Sequence, residues 1–251
     1  MDRLTYIGHA TTLIRLGRLS VLTDPILRGW LALLRRQGPP PSPELPNVAD
    51  VVLISHLHRD HLDLPSLRRM PATTPLVLPR GATRWVRKAR ADRIVEIGVG
   101  ETTSFNGLEV TAVPAVHDGH RDRGGPEIQS LGYRIRGGGH DVYFAGDTEL
   151  FPEMADLGPV DLALLPVWGW GPSVGAGHLD PETAAKALAL IRPRLAVPIH
   201  WGTFYPVGLR QLRREPLTRP PLEFARLARE RAPYVEVRVL QPGSEMPLER
   251  S

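Results

Sequence analysis

The stretch VVLISHLHRDHLD (residues 51–63) changes character at Ser55. Four apolar residues, as in a strand covered on both faces, run straight into a loop carrying His56, His58, Asp60, His61 and Asp63. A buried imidazole needs a hydrogen-bonding partner or a metal ion. Ligand-type side chains at this density, at a strand end, are either a metal site or a coincidence, and the rest of the chain decides between them. Read as an extended loop, residues two apart point the same way, which turns His56, His58 and Asp60 towards one centre and His61 towards a second. Neither centre is complete from this loop alone, so the remaining donors must come from other strands.

The same pattern recurs along the chain. Apolar runs close on His117 in VTAVPAVH, on Asp147 in DVYFAGD and on His200 in LAVPIH. Taken singly, each histidine reads as a hydrogen-bonded core residue and Asp147, after Gly146, as a turn residue. Taken together, they are strand ends that gather at one rim if the strands lie in register, as ligand sites do in open α/β sheets.

Composition narrows the class. The chain has 251 residues, 42% apolar and 23% charged, as in ordinary globular proteins. It holds no run of eighteen apolar residues, and its opening lacks the apolar stretch of a signal peptide. A single cytoplasmic domain over 1–251 is expected. With no cysteine there is no thiolate site or disulfide, so histidine and carboxylate must hold the metal. Such donors suit Zn²⁺, with Mn²⁺ and Fe²⁺ compatible. The net charge of +4 is modest and the basic residues are spread, only Lys88 and Lys186 among 31 being lysines. The expected partner is a small-molecule or lipid substrate rather than nucleic acid, and the oligomeric state is left open.

Short strands alternate with turns and a few helices. Residues 4–7, 12–16 and 19–22 read as an opening meander, and residues 51–54, 76–78 and 94–97 as buried strands. Asn106-Gly107 and the glycines at 137–139 mark hairpin turns. Asp180, Pro181 and Glu182 begin a helix that ends before Pro193, and residues 80–91 and 221–231 are predicted helices. The alternation predicts a layered α/β domain. Residues 26–46 stand apart, because the apolar-basic WLALLRR (30–36) runs into the proline-rich GPPPSP (38–43). They read either as a short core-packed helix with an irregular connector, or as a lid beside the site that touches lipid.

HLHRDH (56–61) matches the H-x-H-x-D-H motif of the metallo-β-lactamase superfamily, which the chain resembles along nearly its whole length, with His117, Asp147 and His200 in the superfamily's order. IGHATTLI (7–14), LTDP (22–25), AGDT (145–148), GHLDPETA (177–184) and PIHWGTF (198–204) are similar to a narrower branch. That branch includes L-ascorbate-6-phosphate lactonase and N-acyl phosphatidylethanolamine phospholipase D. The resemblance implies a four-layer αββα sandwich of two mixed β-sheets flanked by helices. It implies a hydrolase with two divalent ions, one on His56, His58 and His117, the other on Asp60, His61 and His200, with Asp147 bridging. Flavodiiron relatives have glutamate where this chain has His58, so redox iron chemistry is not expected.

Such a centre would make hydroxide available at neutral pH for attack on a phosphodiester, phospholipid, lactone or ester. Asp60 and His178 are the expected catalytic residues, Asp60 orienting the nucleophile or taking its proton and His178 helping the leaving group. Asp24 is expected to grip a ligand imidazole or simply to start a turn, and His9 to line the site or bond at a strand end. Trp168, Trp170, Trp201, Phe204 and Tyr205 either wall a substrate or close the core. Arg121 and Arg123 are candidates to receive a phosphate, and His120 and His140 read as surface residues. A nuclease would need a binding arm for which 251 residues leave little room. A non-catalytic metal protein usually loses ligands, and this chain lacks none. A β-lactamase proper is not expected without a secretion signal.

Overall fold

A computed structural model of the chain describes residues 1–89, 93–122, 125–169 and 175–249. Strands Arg3–Gly8, Thr11–Leu16 and Leu19–Thr23 form the predicted antiparallel meander. The late strand Ser244–Pro247 pairs with its free edge, and Val51–Leu53, Leu76–Pro79 and Ile94–Ile97 add in parallel on the other side. The second sheet has the same plan. Thr102–Phe105, Leu108–Pro114, Leu131–Gly137 and His140–Phe144 run antiparallel, and Leu162–Pro166, Leu195–Ile199 and Glu236–Val237 continue in parallel. Asn106 and Gly107, both at positive φ, make the tight turn that this dipeptide favours. Among the described residues each sheet has seven strands.

The central parallel strands, Val51–Leu53, Leu76–Pro79, Leu162–Pro166 and Leu195–Ile199, are buried along their whole length, which is why they read as unbroken apolar runs. Tyr6, Ile14, Leu53 and Val77 of the first sheet share one buried cluster with Tyr133, Phe144, Leu164 and Val197 of the second. The two sheets therefore pack face to face. Helix Pro181–Ile191 buries Ala184, Ala185, Leu188 and Ile191, packs on helix Arg219–Arg231, and starts with a reciprocal capping box between Asp180 and Thr183. That cap is worth about 0.5–2 kcal/mol. The first sheet's outer face holds a second cluster, in which Leu22, Val52, Leu76 and Leu78 meet Leu67 and Val86 of short helices. The layers are αββα, as expected.

Two local expectations differ. The helix predicted over 80–91 is a single turn, Thr83–Val86, whose Thr, Trp and Val are weak helix formers; residues 90 and 91 lie outside the described residues. Nor do residues 26–46 form a core-packed helix at the apolar stretch. Trp30–Leu31 and Leu34–Arg36 make a hairpin about Ala32, and its second strand pairs with Phe204–Pro206. Ile26, Leu31 and Phe204 form a small cluster of their own. Pairing with a strand some 170 residues away overrides local helix propensity. The hairpin leaves Trp30 51% and Leu33 84% exposed.

Candidate metal centre

Parallel strands deliver the donors to one rim. Asp24 follows Leu19–Thr23, Ser55 and His56 follow Val51–Leu53, Asp147 follows His140–Phe144, and His200 follows Leu195–Ile199. His117 follows Leu108–Pro114, which runs in the same direction as His140–Phe144 because both oppose Leu131–Gly137. The backbone is bent to suit. His9, Asp24 and His200 are left-handed, with φ of 58°, 34° and 63°, a conformation that costs a non-glycine residue on the order of 1–3 kcal/mol. Gly146 is left-handed as well, and a Cβ there would lie 2.6 Å from Ser55 Cβ, so the residue before Asp147 has to be glycine.

Two main groups of side chains result. His56 Nε2 and His117 Nε2 lie 3.1 and 3.0 Å from His58 Nδ1. His61 Nε2 lies 3.3 Å from His200 Nε2, and each is 3.6 Å from Asp60 Oδ2. Asp147 Oδ2 stands between the groups, 3.2 Å from His61 Nε2, 3.4 Å from His200 Nε2 and 3.6 Å from His178 Nε2. Asp60 therefore sits with His61 and His200, not with His56 and His58 as an extended loop would have it. The loop is not extended: His61 N and Leu62 N both donate to His58 O, a helical turn that swings Asp60 across.

Behind the rim, hydrogen bonds fix the imidazoles. His61 Nδ1 donates to Asp24 Oδ2 at 2.7 Å. Ser55 Oγ donates to the same oxygen at 2.6 Å and accepts from His56 Nδ1 at 2.9 Å, while Ser55 N donates to Asp24 Oδ1 at 2.7 Å. His117 Nδ1 donates to Gly177 O at 2.7 Å, and His200 Nδ1 to Trp168 O at 2.5 Å. With Nδ1 protonated and engaged, each of these rings turns Nε2 towards the site.

The chemistry of this donor set fits metal binding. Bare nitrogen lone pairs 3 Å apart repel unless something positive lies between them, and the edge of a tetrahedron with Zn–N bonds of 2.0–2.1 Å is roughly 3.3 Å. Asp147 Oδ1 is buried and has no hydrogen-bond partner among the described residues. Burial and neighbouring histidines hold His56 well below the ordinary imidazole range, and burial brings His117 down to about 4. Burial alone would raise Asp60 and Asp147, but the surrounding histidines hold both well below the usual carboxylate range. His61 moves the other way: burial lowers it, yet Asp147, Asp60 and Asp24 together raise it well above 6.5. A metal ion at His61 Nε2 would displace a proton.

His9 joins the second group, its Nε2 3.0 Å from Asp60 Oδ2, and the His178 ring stands 4.6 Å from that of His117. Arg121 clasps the histidine loop, its Nη1 donating to Leu57 O and Leu62 O. Arg123 and Trp170 lie outside the described residues. Trp168, Trp201, Phe204 and Tyr205 are buried, closing the core rather than walling a cleft. His120 is half-buried, its Nδ1 2.6 Å from Asp118 Oδ1, and His140 is buried: the glycine turn before it packs on Leu16 and Gly17 at the end of the second strand, and Nε2 lies 3.1 Å from Asp2 Oδ2. Sequence reading missed the parts played by Ser55 and Arg121. The only signal for Ser55 was a hydroxyl residue at the junction of strand and motif.

The family described as Beta-lactamase superfamily domain matches residues 20–201. A UPF0173 metal-dependent hydrolase of Methanopyrus kandleri is 33% identical over 253 residues, covering 96% of this chain and 97% of its own length. The N-acyl-phosphatidylethanolamine-hydrolyzing phospholipase D 1 of Caenorhabditis elegans is 30% identical over 238 residues, 84% of this chain and 67% of its own. Among solved structures, the metallo hydrolase Igni18 of Ignicoccus hospitalis superposes with a TM-score of 0.73 at 26% identity, covering 98% of this chain and 97% of its own. The chain belongs to the β-lactamase superfamily and, within it, to the UPF0173 metal-dependent hydrolases.

Proposed function

We propose that the chain is a dinuclear hydrolase of phosphodiesters, phospholipids included. One observation carries the reading: two groups of histidine donors, each with lone pairs converging, share the buried carboxylate of Asp147. His56, His58 and His117 would hold one divalent ion, and Asp60, His61 and His200 the other. Zn²⁺ suits these donors, as Mn²⁺ and Fe²⁺ also do. When bound, such ions lower the pKa of water from 15.7 towards about 7 and polarise the oxygen under attack.

The chain's own residues do the rest. Asp24 and Ser55 fix the tautomers of His61 and His56, so that both ligand rings are aimed before a substrate arrives. Asp60, beside His61 and His200, is placed to orient the nucleophile or take its proton. His178 flanks Asp147 on the side of His117, where it can meet a leaving group or a phosphoryl oxygen. Lactone or ester hydrolysis would use the same parts. The phosphodiester reading is favoured by likeness to the worm phospholipase and by the hairpin, where Trp30 and Leu33 are exposed and Arg35 lies over the Trp30 ring. The hairpin would touch lipid at its surface. No helix among the described residues is long and apolar enough to cross a membrane.

The test is metal analysis of protein purified without chelator, followed by turnover on phosphodiesters, phospholipids, lactones and single-stranded nucleic acid. About two equivalents of metal and phosphodiester turnover are expected. Nucleic acid as the preferred substrate would make it a nuclease, and full activity without bound metal would sink the reading.

A further inference from the structure

The motif Gly8-His9 does not belong to the donor set that the family resemblance supplies, yet the fold invests heavily in it. The pairing of the first two strands slips between Tyr6 and Gly8, forming a bulge, and His9 emerges left-handed at φ 58°. Its backbone is held on both sides, N donating to Thr203 Oγ1 at 2.6 Å and O accepting from His200 N at 2.8 Å. Gly8 permits this approach, since a Cβ there would lie 2.6 Å from Thr203 Oγ1. The ring is buried, 3.8 Å from the His200 ring and edge-on to Phe204. Everything about the residue aims one atom, Nε2, which lies 3.0 Å from Asp60 Oδ2.

We infer that His9 is the positioning residue of Asp60, its Nε2–H gripping the carboxylate oxygen that faces His61 and His200. Asp60 needs such a grip. It comes from the turn of a loop rather than a strand end, its side chain is 18% exposed, and its neighbour Arg59 is on the surface. A carboxylate with no partner would swing, and ligating carboxylates are usually pinned by a hydrogen bond from behind. A role as a further ligand fits less well. Asp60, His61, His200 and Asp147 would already supply four donors, so His9 is not needed to complete the site. This inference rests on the dinuclear reading proposed above.

The experiment compares His9→Gln, His9→Asn and His9→Ala in the full chain loaded with Co²⁺. Glutamine places an amide N–H where imidazole Nε2–H stands, whereas asparagine mimics only Nδ1. Three quantities are read: Co²⁺ equivalents with the d–d spectrum, affinity by chelator competition, and kcat and KM on bis(p-nitrophenyl) phosphate. All three variants should keep two Co²⁺ and the wild-type spectrum at saturating metal. His9→Ala and His9→Asn should bind the ion held by Asp60, His61 and His200 about 10- to 100-fold less tightly and lose kcat to a similar degree, with KM changed little. His9→Gln should recover most of both. If the alanine variant fails to fold, the glutamine–asparagine contrast decides. A lost Co²⁺ equivalent with an altered spectrum in His9→Gln would make His9 a ligand and overturn the inference. Equal behaviour of the glutamine and asparagine variants would also overturn it. Wild-type protein that binds fewer than two ions would instead overturn the dinuclear reading, and it is measured first.

Discussion

Asp24 Oδ2 lies 2.7 Å from His61 Nδ1, and neither side chain is open to solvent. Through Ser55 Oγ the same carboxylate also reaches His56, so one buried group behind the rim orients a donor in each of the two groups. Asp24→Ala should therefore weaken both ions, by about 10- to 100-fold in affinity. Ser55→Ala should weaken chiefly the ion held by His56, His58 and His117. Chelator competition checks this, and a variant of Asp24 with wild-type affinity for both ions would refute the coupling.

Removing the metals exposes a pH dependence whose sign is set by burial. Burial pushes His117 down to about 4 and His9 down to about 3, below the ordinary imidazole value near 6.5. Between those values the unfolded chain binds protons that the folded chain does not, so stability is full above about pH 6.5 and is lost as pH falls towards 4 and then 3. Buried His56 acts in the same sense, and the lowered Asp60 and Asp147 do so only below about pH 4. His61, raised by its three aspartates despite burial, acts in reverse, as does Asp24, raised by burial. Below about pH 6.5 the contribution of His61 no longer changes, so from there to about pH 4 the lowered histidines are opposed by Asp24 alone. Metal-stripped protein should lose Tm steadily from pH 7 to pH 4, and the gap between loaded and stripped protein should close as protons displace the ions. Thermal melts across that range test it, and a stripped protein that gains stability on acidification would contradict it.

The strands and the donors were legible because burial on both faces writes an unbroken apolar run, and each run stops at one polar residue. VVLISH, DVYFAGD and LAVPIH are the same statement made three times. Grouping the donors was harder. The turn at His58 to Leu62 is a backbone event with no local residue signal, and it moved Asp60 from one group to the other. The hairpin at Trp30 was hidden for a different reason, since its partner strand follows His200. His140 looked like a surface residue because it follows a glycine turn, and only the packing of that turn on Leu16 and Gly17, with Asp2 beside the ring, buries it. Long-range pairing decides such cases.

That hairpin yields a prediction of its own. Trp30 and Leu33 are exposed, whereas Leu31 is buried and Leu34 packs against the small cluster it forms with Ile26 and Phe204. Replacing Trp30 and Leu33 by serine should leave the fold intact and weaken binding to anionic vesicles, while kcat on a small soluble diester stays near wild type. Leu31→Ser should instead destabilise, since burying a hydroxyl in place of leucine costs on the order of 2–5 kcal/mol. Vesicle sedimentation and thermal melts separate the two. Unchanged vesicle binding in the Trp30/Leu33 double variant would show that lipid is not what the hairpin meets.

His178 carries the last prediction. It stands just before the capped helix at Pro181, with Nε2 3.6 Å from Asp147 Oδ2 and Nδ1 3.1 Å from Ala176 O. The contact with Ala176 O makes Nδ1 the donor, which turns Nε2 to the rim. The separation from Asp147 is longer than a hydrogen bond, and His117 and Asp147 already serve the two main groups. The side chain is also partly open to solvent, unlike buried His56, His61 and His200. A histidine so placed is suited to meet a leaving group. His178→Ala should keep both metals and its Tm but lose roughly 10²-fold or more in kcat, the scale of acid–base assistance. The loss should shrink for diesters with a nitrophenol leaving group, which departs without a proton, if donation is the role. His178→Gln, which can hydrogen-bond a phosphoryl oxygen but cannot transfer a proton, should recover little on a substrate with a poor leaving group. Loss of one metal equivalent in His178→Ala would reassign the residue as a ligand, and an unchanged kcat on such a substrate would leave it a loop residue.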